Sequence, residues 1–184
     1  MDISEAIAKR KSVRAYLDKP VPTDALAKIV EAGRWAPNAG EFQISVIRNA
    51  ELRQRINDRT HDAMVHSEME FLRQRVALPG YQPLYGAPVL ILLSGPADAP
   101  YSAVNAALAA ENMLLEATGL GLGSCFIISP KLALNGKDNR DLAQEAGIPD
   151  THTLQCAVIV GYAAARNKFS IGKRARKGSV NYVD

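Results

Sequence analysis

Ser102-Ala-Val-Asn-Ala-Ala-Leu-Ala-Ala-Glu-Asn-Met-Leu-Leu-Glu-Ala-Thr118, then Gly119-Leu-Gly-Leu-Gly123, then Ser124-Cys-Phe-Ile-Ile128 is the stretch whose reading decides the fold. The first part has strong helix formers and no glycine or proline before residue 119, which predicts a helix over 102–118. It is apolar on almost every side, and such a helix is expected to be covered from all directions. In a chain of 184 residues that predicts a second subunit helping to cover it. The three glycines follow a helix and precede a strand. A dinucleotide fingerprint needs the reverse order, so that phosphate meets a helix N-terminus. They read instead as a helix stop and a tight turn, and no GxxxxGK[ST] phosphate loop occurs.

Outward from this centre, Ala87 to Leu93 is a near-continuous apolar run, the pattern of a buried strand. Leu154 to Val160 and Ser45-Val-Ile-Arg48 read as further strands. Asp2-Ile-Ser-Glu5 fits a capping box opening a helix to about Lys11. Thr23 is expected to cap a second helix, with Leu26, Ile29 and Val30 on one face and its end near Trp35 and Pro37. Residues 51–78 form a charged, helix-prone stretch, followed by a Pro/Gly/Tyr loop over 79–86. A short helix is expected from Asp138 or Asn139 to Ala146, stopped by Gly147-Ile-Pro149. The order predicts an α+β fold, a sheet flanked by helices, in a single domain over 1–184.

Composition removes several classes of function. No apolar run reaches the roughly 18 residues of a membrane span, and Met-Asp-Ile-Ser-Glu lacks the layout of a signal peptide. Cys125 and Cys156 lie in apolar surroundings and read as reduced, buried thiols of a cytoplasmic protein. His61 and His66 are five apart on a predicted helix, where two ligands on one face need a spacing of three or four. His152 is expected in a distant loop. No metal site is predicted. With no Gly-x-Ser-x-Gly and no histidine near either cysteine in sequence, no side-chain nucleophile is predicted either.

What remains is charge. The chain carries 22 basic and 19 acidic residues, but unevenly. Residues 166–184 hold six basic side chains and one acid, which leaves the preceding body slightly acidic. A first cluster is Lys9-Arg10-Lys11-Ser12-Val13-Arg14, in which Arg10, Ser12 and Arg14 alternate and in an extended chain would project together. Two guanidinium forks and a hydroxyl suit a phosphate monoester. A second cluster, Lys173-Arg174-Ala175-Arg176-Lys177, repeats the alternation. Each alone also reads as a solvated charge run. Neither is interleaved with the aromatics that stack on bases, so nucleic acid is not the expected partner.

Four segments together resemble the FMN-dependent nitroreductase family: Ile7 to Tyr16, Trp35-Ala-Pro-Asn-Ala-Gly40 with Gln43, Asn105 to Cys125, and the basic tail. The resemblance implies a nitroreductase-like fold with a mostly antiparallel central sheet, and an intertwined homodimer with a buried central helix and shared flavin sites. It implies that Arg10, Ser12 and Arg14, with the Lys11 backbone, bind the FMN phosphate and ribityl chain, joined by Arg174 and Arg176. Pro37, Asn38, Ala39 and Gly40 of the partner subunit would meet the isoalloxazine, and Ile127, Ile128 and Ser129 would line it through their backbone. Asn105, Glu111, Asn112 and Glu116 are expected to satisfy structural partners.

The implied activity is ping-pong transfer of hydride from NADH or NADPH to a small electron acceptor, a nitroaromatic, quinone or related compound. The flavin carries the chemistry, so no catalytic side chain is needed. A flavoenzyme with another redox task (enone reduction or dehydrogenation) and a non-catalytic anion-binding module are the alternatives. Glu41 stands where the family commonly has Asn, which marks it as outward-pointing or as a substrate determinant, and Ile44-Ser45 replaces the usual Pro-Trp. Phe42, Tyr81 and Tyr85 are aromatic candidates for stacking on a flat acceptor, with packing as the competing role.

Overall fold

The computed structural model of the chain describes residues 1–165, 169 and 177–183. Four strands, β1 (Gln43–Ile47), β2 (Val89–Pro96), β3 (Gly123–Ile127) and β4 (His152–Gly161), form one sheet in the order β1-β2-β4-β3. Every pairing is antiparallel. β2 lies centrally, with Leu92 opposite Ser45 on one side and Ala157 on the other. Leu90, Ile91, Leu92 and Leu93 are all fully buried, because a central strand covered on both faces needs apolar residues at every position. Each such side chain contributes roughly 1.5–3 kcal/mol relative to exposure.

The period of two sorts these residues into two cores. Val89, Ile91 and Leu93 face α2 (Thr23–Arg34) and α5 (Ser102–Gly119). Leu90 and Leu92 face α3 (Ala50–Val65), α6 (Pro130–Leu134) and α7 (Arg140–Glu145). The result is a helix–sheet–helix sandwich. α2 and α5 approach closely at Gly33, where an added Cβ would lie 2.2 Å from the Met113 methyl.

Several element ends differ from expectation, each for a local reason. α1 (Ile3–Lys9) is capped as read, the Asp2 carboxylate accepting from the Glu5 amide at 2.8 Å. Thr23 does not cap α2; Pro22 holds that position and Thr23 is the first helical residue, its hydroxyl accepting from Arg48 at 3.2 Å. The charged stretch 51–78 divides into α3 and α4 (Glu70–Val76), separated around Ser67. His152 is not in a loop: it starts β4, buried, with Nδ1 3.3 Å from the Ser94 hydroxyl. α5 is not covered on every side within one chain, since Ala103, Val104, Ala107 and Leu108 form an exposed apolar stripe.

Candidate functional site

The N-terminal cluster leaves α1 as extended chain and is pinned to the free edge of β3. Ser12 bridges Ser124 in parallel, and the Val13 amide donates to the Ser124 carbonyl at 2.9 Å. Further on, Leu17 donates to Tyr162 and Ala164 to Ala15, both at 2.9 Å. Val13 is buried over Gly123, where a Cβ would come within 3.0 Å of its methyls, so glycine there admits the close approach. Alternation then leaves Arg10, Ser12 and Arg14 half-buried, away from Val13, and Lys11 exposed.

Burial pushes the Cys125 thiol up, opposed by Arg14, a hydrogen bond with the Ser12 hydroxyl, Arg10 and Arg75. Residues from two distant segments thus lie within electrostatic reach of this one thiol. Tyr16, whose hydroxyl donates to the Val13 carbonyl at 2.8 Å, backs this cluster; burial keeps its phenol protonated far above the ordinary range. Arg10 also meets Glu111 of α5, with Nε 3.2 Å from the carboxylate.

α5 holds a second piece. Asn105, buried at the start of that helix, clasps Ala39 from both sides: Oδ1 accepts from its amide at 2.9 Å and Nδ2 donates to its carbonyl at 3.0 Å. Pro37, Asn38, Ala39 and Gly40 are exposed, presented as a rigid turn. Asn105 and Glu111 are six residues apart, about 9 Å along the helix, so one helix sets the spacing of turn and cationic strand. Asn112 similarly donates to the Ala32 carbonyl at 3.0 Å. Glu41 is exposed, its carboxylate 3.7 Å from His152 Nε2. Phe42 packs against the α2/α5 core.

The other end of the cluster opens into a groove of about 540 Å³. Ile127, Ile128 and Ser129 form one wall, α6 continues it, and α4 with the turn carrying Tyr81 and Tyr85 forms the rest. Tyr81 is buried, meeting Tyr85 edge-on at 5.5 Å and Phe169 at 5.6 Å between ring centroids. Arg75 donates to the Tyr85 hydroxyl at 3.0 Å and to the Phe169 carbonyl at 3.3 Å. Burial acts to lower the pKa of Arg75, but hydrogen bonding to the Tyr85 and Tyr81 hydroxyls and electrostatic interaction with both residues raise it overall. Tyr85 has φ +52°, a conformation that a bulky residue holds only when its surroundings impose it.

The residues read from sequence thus fall into three described groups. Arg10, Ser12 and Arg14 share the extended segment beside β3. Ile127, Ile128, Ser129, Tyr81 and Tyr85 share the groove. The 37–41 turn lies against the other end of α5. Arg174 and Arg176 lie outside the described residues. One residue with a part in the site was not singled out: Arg75 sits in a charged helical stretch that gives no sign of which cation turns inward. Asn105, expected from sequence to satisfy a structural partner, does so at Ala39.

The Nitroreductase family model matches residues 7–162. A protein of Methanothermobacter thermautotrophicus, assigned as an NADH dehydrogenase/NAD(P)H nitroreductase, is 30% identical over 136 residues, covering 68% of this chain. The chain spans 60% of the length of that relative. A Bacteroides fragilis nitroreductase solved with bound FMN is 30% identical and superimposes over 100% of both chains with a TM-score of 0.87. A Desulfitobacterium hafniense nitroreductase, also solved with FMN, shares the fold over 100% of both chains with a TM-score of 0.88 at 23% identity.

Proposed function

The chain belongs to the nitroreductase family, and from that premise we propose that it is an FMN-dependent oxidoreductase. It draws electrons from NADH or NADPH and delivers them, in a ping-pong sequence, to nitroaromatic, quinone or related acceptors. The observation that carries this reading is the Arg10–Ser12–Arg14 strand, fixed to β3 beside a groove of about 540 Å³.

The residues present suit such a cofactor. Two half-buried guanidinium groups and a hydroxyl alternate along one extended segment, each within reach of the Cys125 thiol, the donor set that a phosphate monoester needs. Ser124, bridged to Ser12, keeps a buried hydroxyl without a hydrogen-bond partner among the described residues, and a polar atom left so calls for one. The chemistry the flavin supplies when bound is uptake of two electrons from a reduced nicotinamide and their delivery to an acceptor. Arg10, Ser12 and Arg14, with the Lys11 backbone, hold the phosphate. The Ile127–Ser129 backbone lines the ring, and Asn105 orients the turn from Pro37 to Gly40 toward the ring bound by the other subunit.

A homodimer belongs to the same proposal. Val104 and Leu108 of α5 are 53% and 42% exposed, with Ile3 and Ile7 of α1 and Trp35 also outside the single-chain core. α1 and α2 both pack against α5, so these exposed apolar side chains sit on or at the end of adjoining elements, as expected of an interface.

The test is anaerobic. Flavin-loaded protein should be bleached by NADH or NADPH and recoloured by a nitroaromatic or quinone, and initial rates at several acceptor concentrations should give parallel reciprocal plots. Flavin that neither nicotinamide reduces would point to another redox task. Replacing Arg14 by Ala should cut FMN affinity by about tenfold or more, the size of one charge-assisted contact. Unchanged affinity would remove the phosphate assignment.

A further inference from the structure

The groove has a charge pattern that the flavin reading does not use. Its lining is apolar and aromatic, with Met64, Phe71, Leu72 and Ile128 prominent, and the charged side chains among its described lining are two cations, Arg75 and Lys131. No carboxylate of the described residues lines it. Arg75 has no carboxylate partner among the described residues: it meets the Tyr85 hydroxyl, the Phe169 carbonyl and the face of Tyr81 at 5.4 Å from the ring centroid. All three are neutral, so no described residue balances its charge.

Arg75 is also preorganised. Tyr85 keeps an unfavourable backbone conformation (φ +52°) and sets its hydroxyl against the guanidinium. Tyr81, Tyr85 and Phe169 lock one another edge-on or tilted at 5.5–5.9 Å. A guanidinium held this way loses little rotamer freedom when it takes a carboxylate. An apolar slot with one fixed cation at its wall matches a flat ring bearing an anionic substituent.

We infer that the groove selects flat acceptors carrying an anionic group, with Arg75 as the residue that reads the charge, Lys131 as a second cation and Tyr85 as the positioning residue for Arg75. This rests on the flavin reading above and names the substrate class for that site. For a nitroaromatic carboxylate the step is a two-electron reduction. Hydride equivalents from NAD(P)H and one proton from solvent convert the nitro group to nitroso, one oxygen leaves as water, and NAD(P)⁺ is released. The carboxylate stays unchanged as the handle.

The experiment compares 4-nitrobenzoate with its methyl ester, which keeps the ring and nitro group and removes the charge. FMN-loaded wild type, Arg75→Met, Arg75→Lys and Tyr85→Phe are assayed for both acceptors, with flavin content measured in each sample. Wild type should favour the acid in kcat/KM, and Arg75→Met should lower the acid-to-ester ratio about tenfold or more, the scale of a charge-assisted contact. Arg75→Lys should keep part of the preference, and Tyr85→Phe should raise KM for the acid more than it lowers kcat. A wild-type ratio near one, or a ratio unmoved by Arg75→Met, overturns the inference. So does a loss of FMN retention in Arg75→Met with the ratio intact, which would make Arg75 a cofactor ligand. Calorimetric titration with the two compounds reads the charge preference without turnover. Protein that takes no FMN yet prefers the acid sinks the flavin reading and keeps the groove's selectivity; flavinated protein without that preference does the reverse.

Discussion

Asn105 uses both ends of its amide on one residue, and so converts an exposed turn into a fixed one. Replacing it by Ala leaves the Ala39 amide and carbonyl to find other partners. The loss of two hydrogen bonds should cost about 1–2 kcal/mol, or roughly 2–8 °C in Tm for a chain of this size. Thermal unfolding reads that effect, and the FMN retention of the variant should fall with it if the turn meets the ring. At the same scale, Cys156 is buried with its thiol 3.6 Å from the Ala106 carbonyl, and burial pushes it from 9.0 to about 12. The unfolded thiol loses its proton from about pH 9 while the folded one keeps it to about 12. The unfolded state therefore binds fewer protons in that window, and this group's contribution to stability falls as pH rises through it, by up to about 1.4 kcal/mol per pH unit. Cys156→Ala should lack that slope in denaturant midpoints taken between pH 8 and 11. At pH 8 native protein should resist alkylation at both cysteines until unfolded, because reaction needs the thiolate.

At the scale of elements, α5 does three things along one axis. Its inner face builds the core with Ala106, Ala109, Ala110 and Met113. Asn105 and Glu111 position the turn and the cationic strand, and Val104 and Leu108 remain exposed. Leu108→Glu places a charge on that stripe. In sedimentation at micromolar concentration it should shift a dimer toward monomer and lose flavin, while a wild type that stays monomeric with FMN bound would contradict the shared site.

Elements with strong local signals were legible in the sequence: the apolar run of β2, the glycine stop after α5 and the Asp2 cap. The Thr23 cap was misread because Pro22 already fixes the entry to α2. The break between α3 and α4 was hidden because both halves are polar and helix-prone, and α6, five residues long, carries too little periodicity to be seen. In the site, Arg10, Ser12 and Arg14 could be grouped because they alternate along one strand. Arg75 could not, because ten residues and a strained turn separate it from Tyr85, and only folding brings it to that residue's hydroxyl and within reach of Cys125.

For the whole molecule, the sheet edge at β3 is the organising feature. One face of the sheet is sealed by α2 and α5, the other by α3, α6 and α7. The extended N-terminal segment lies along the β3 edge, bridged at Ser12–Ser124, and carries Arg10 and Arg14 there. Placing charge on that edge also protects it, since an open strand edge otherwise invites pairing with another chain. The net charge of +3 is then a poor guide to the partner. Arg10 and Arg14, half-buried on one extended segment beside β3, are the local charge on which the proposed phosphate site rests. The most direct test of that account is the visible absorption of the purified protein after incubation with FMN and removal of unbound flavin. The account predicts an oxidised-flavin spectrum at one FMN per subunit; a colourless, folded protein that retains none would contradict it.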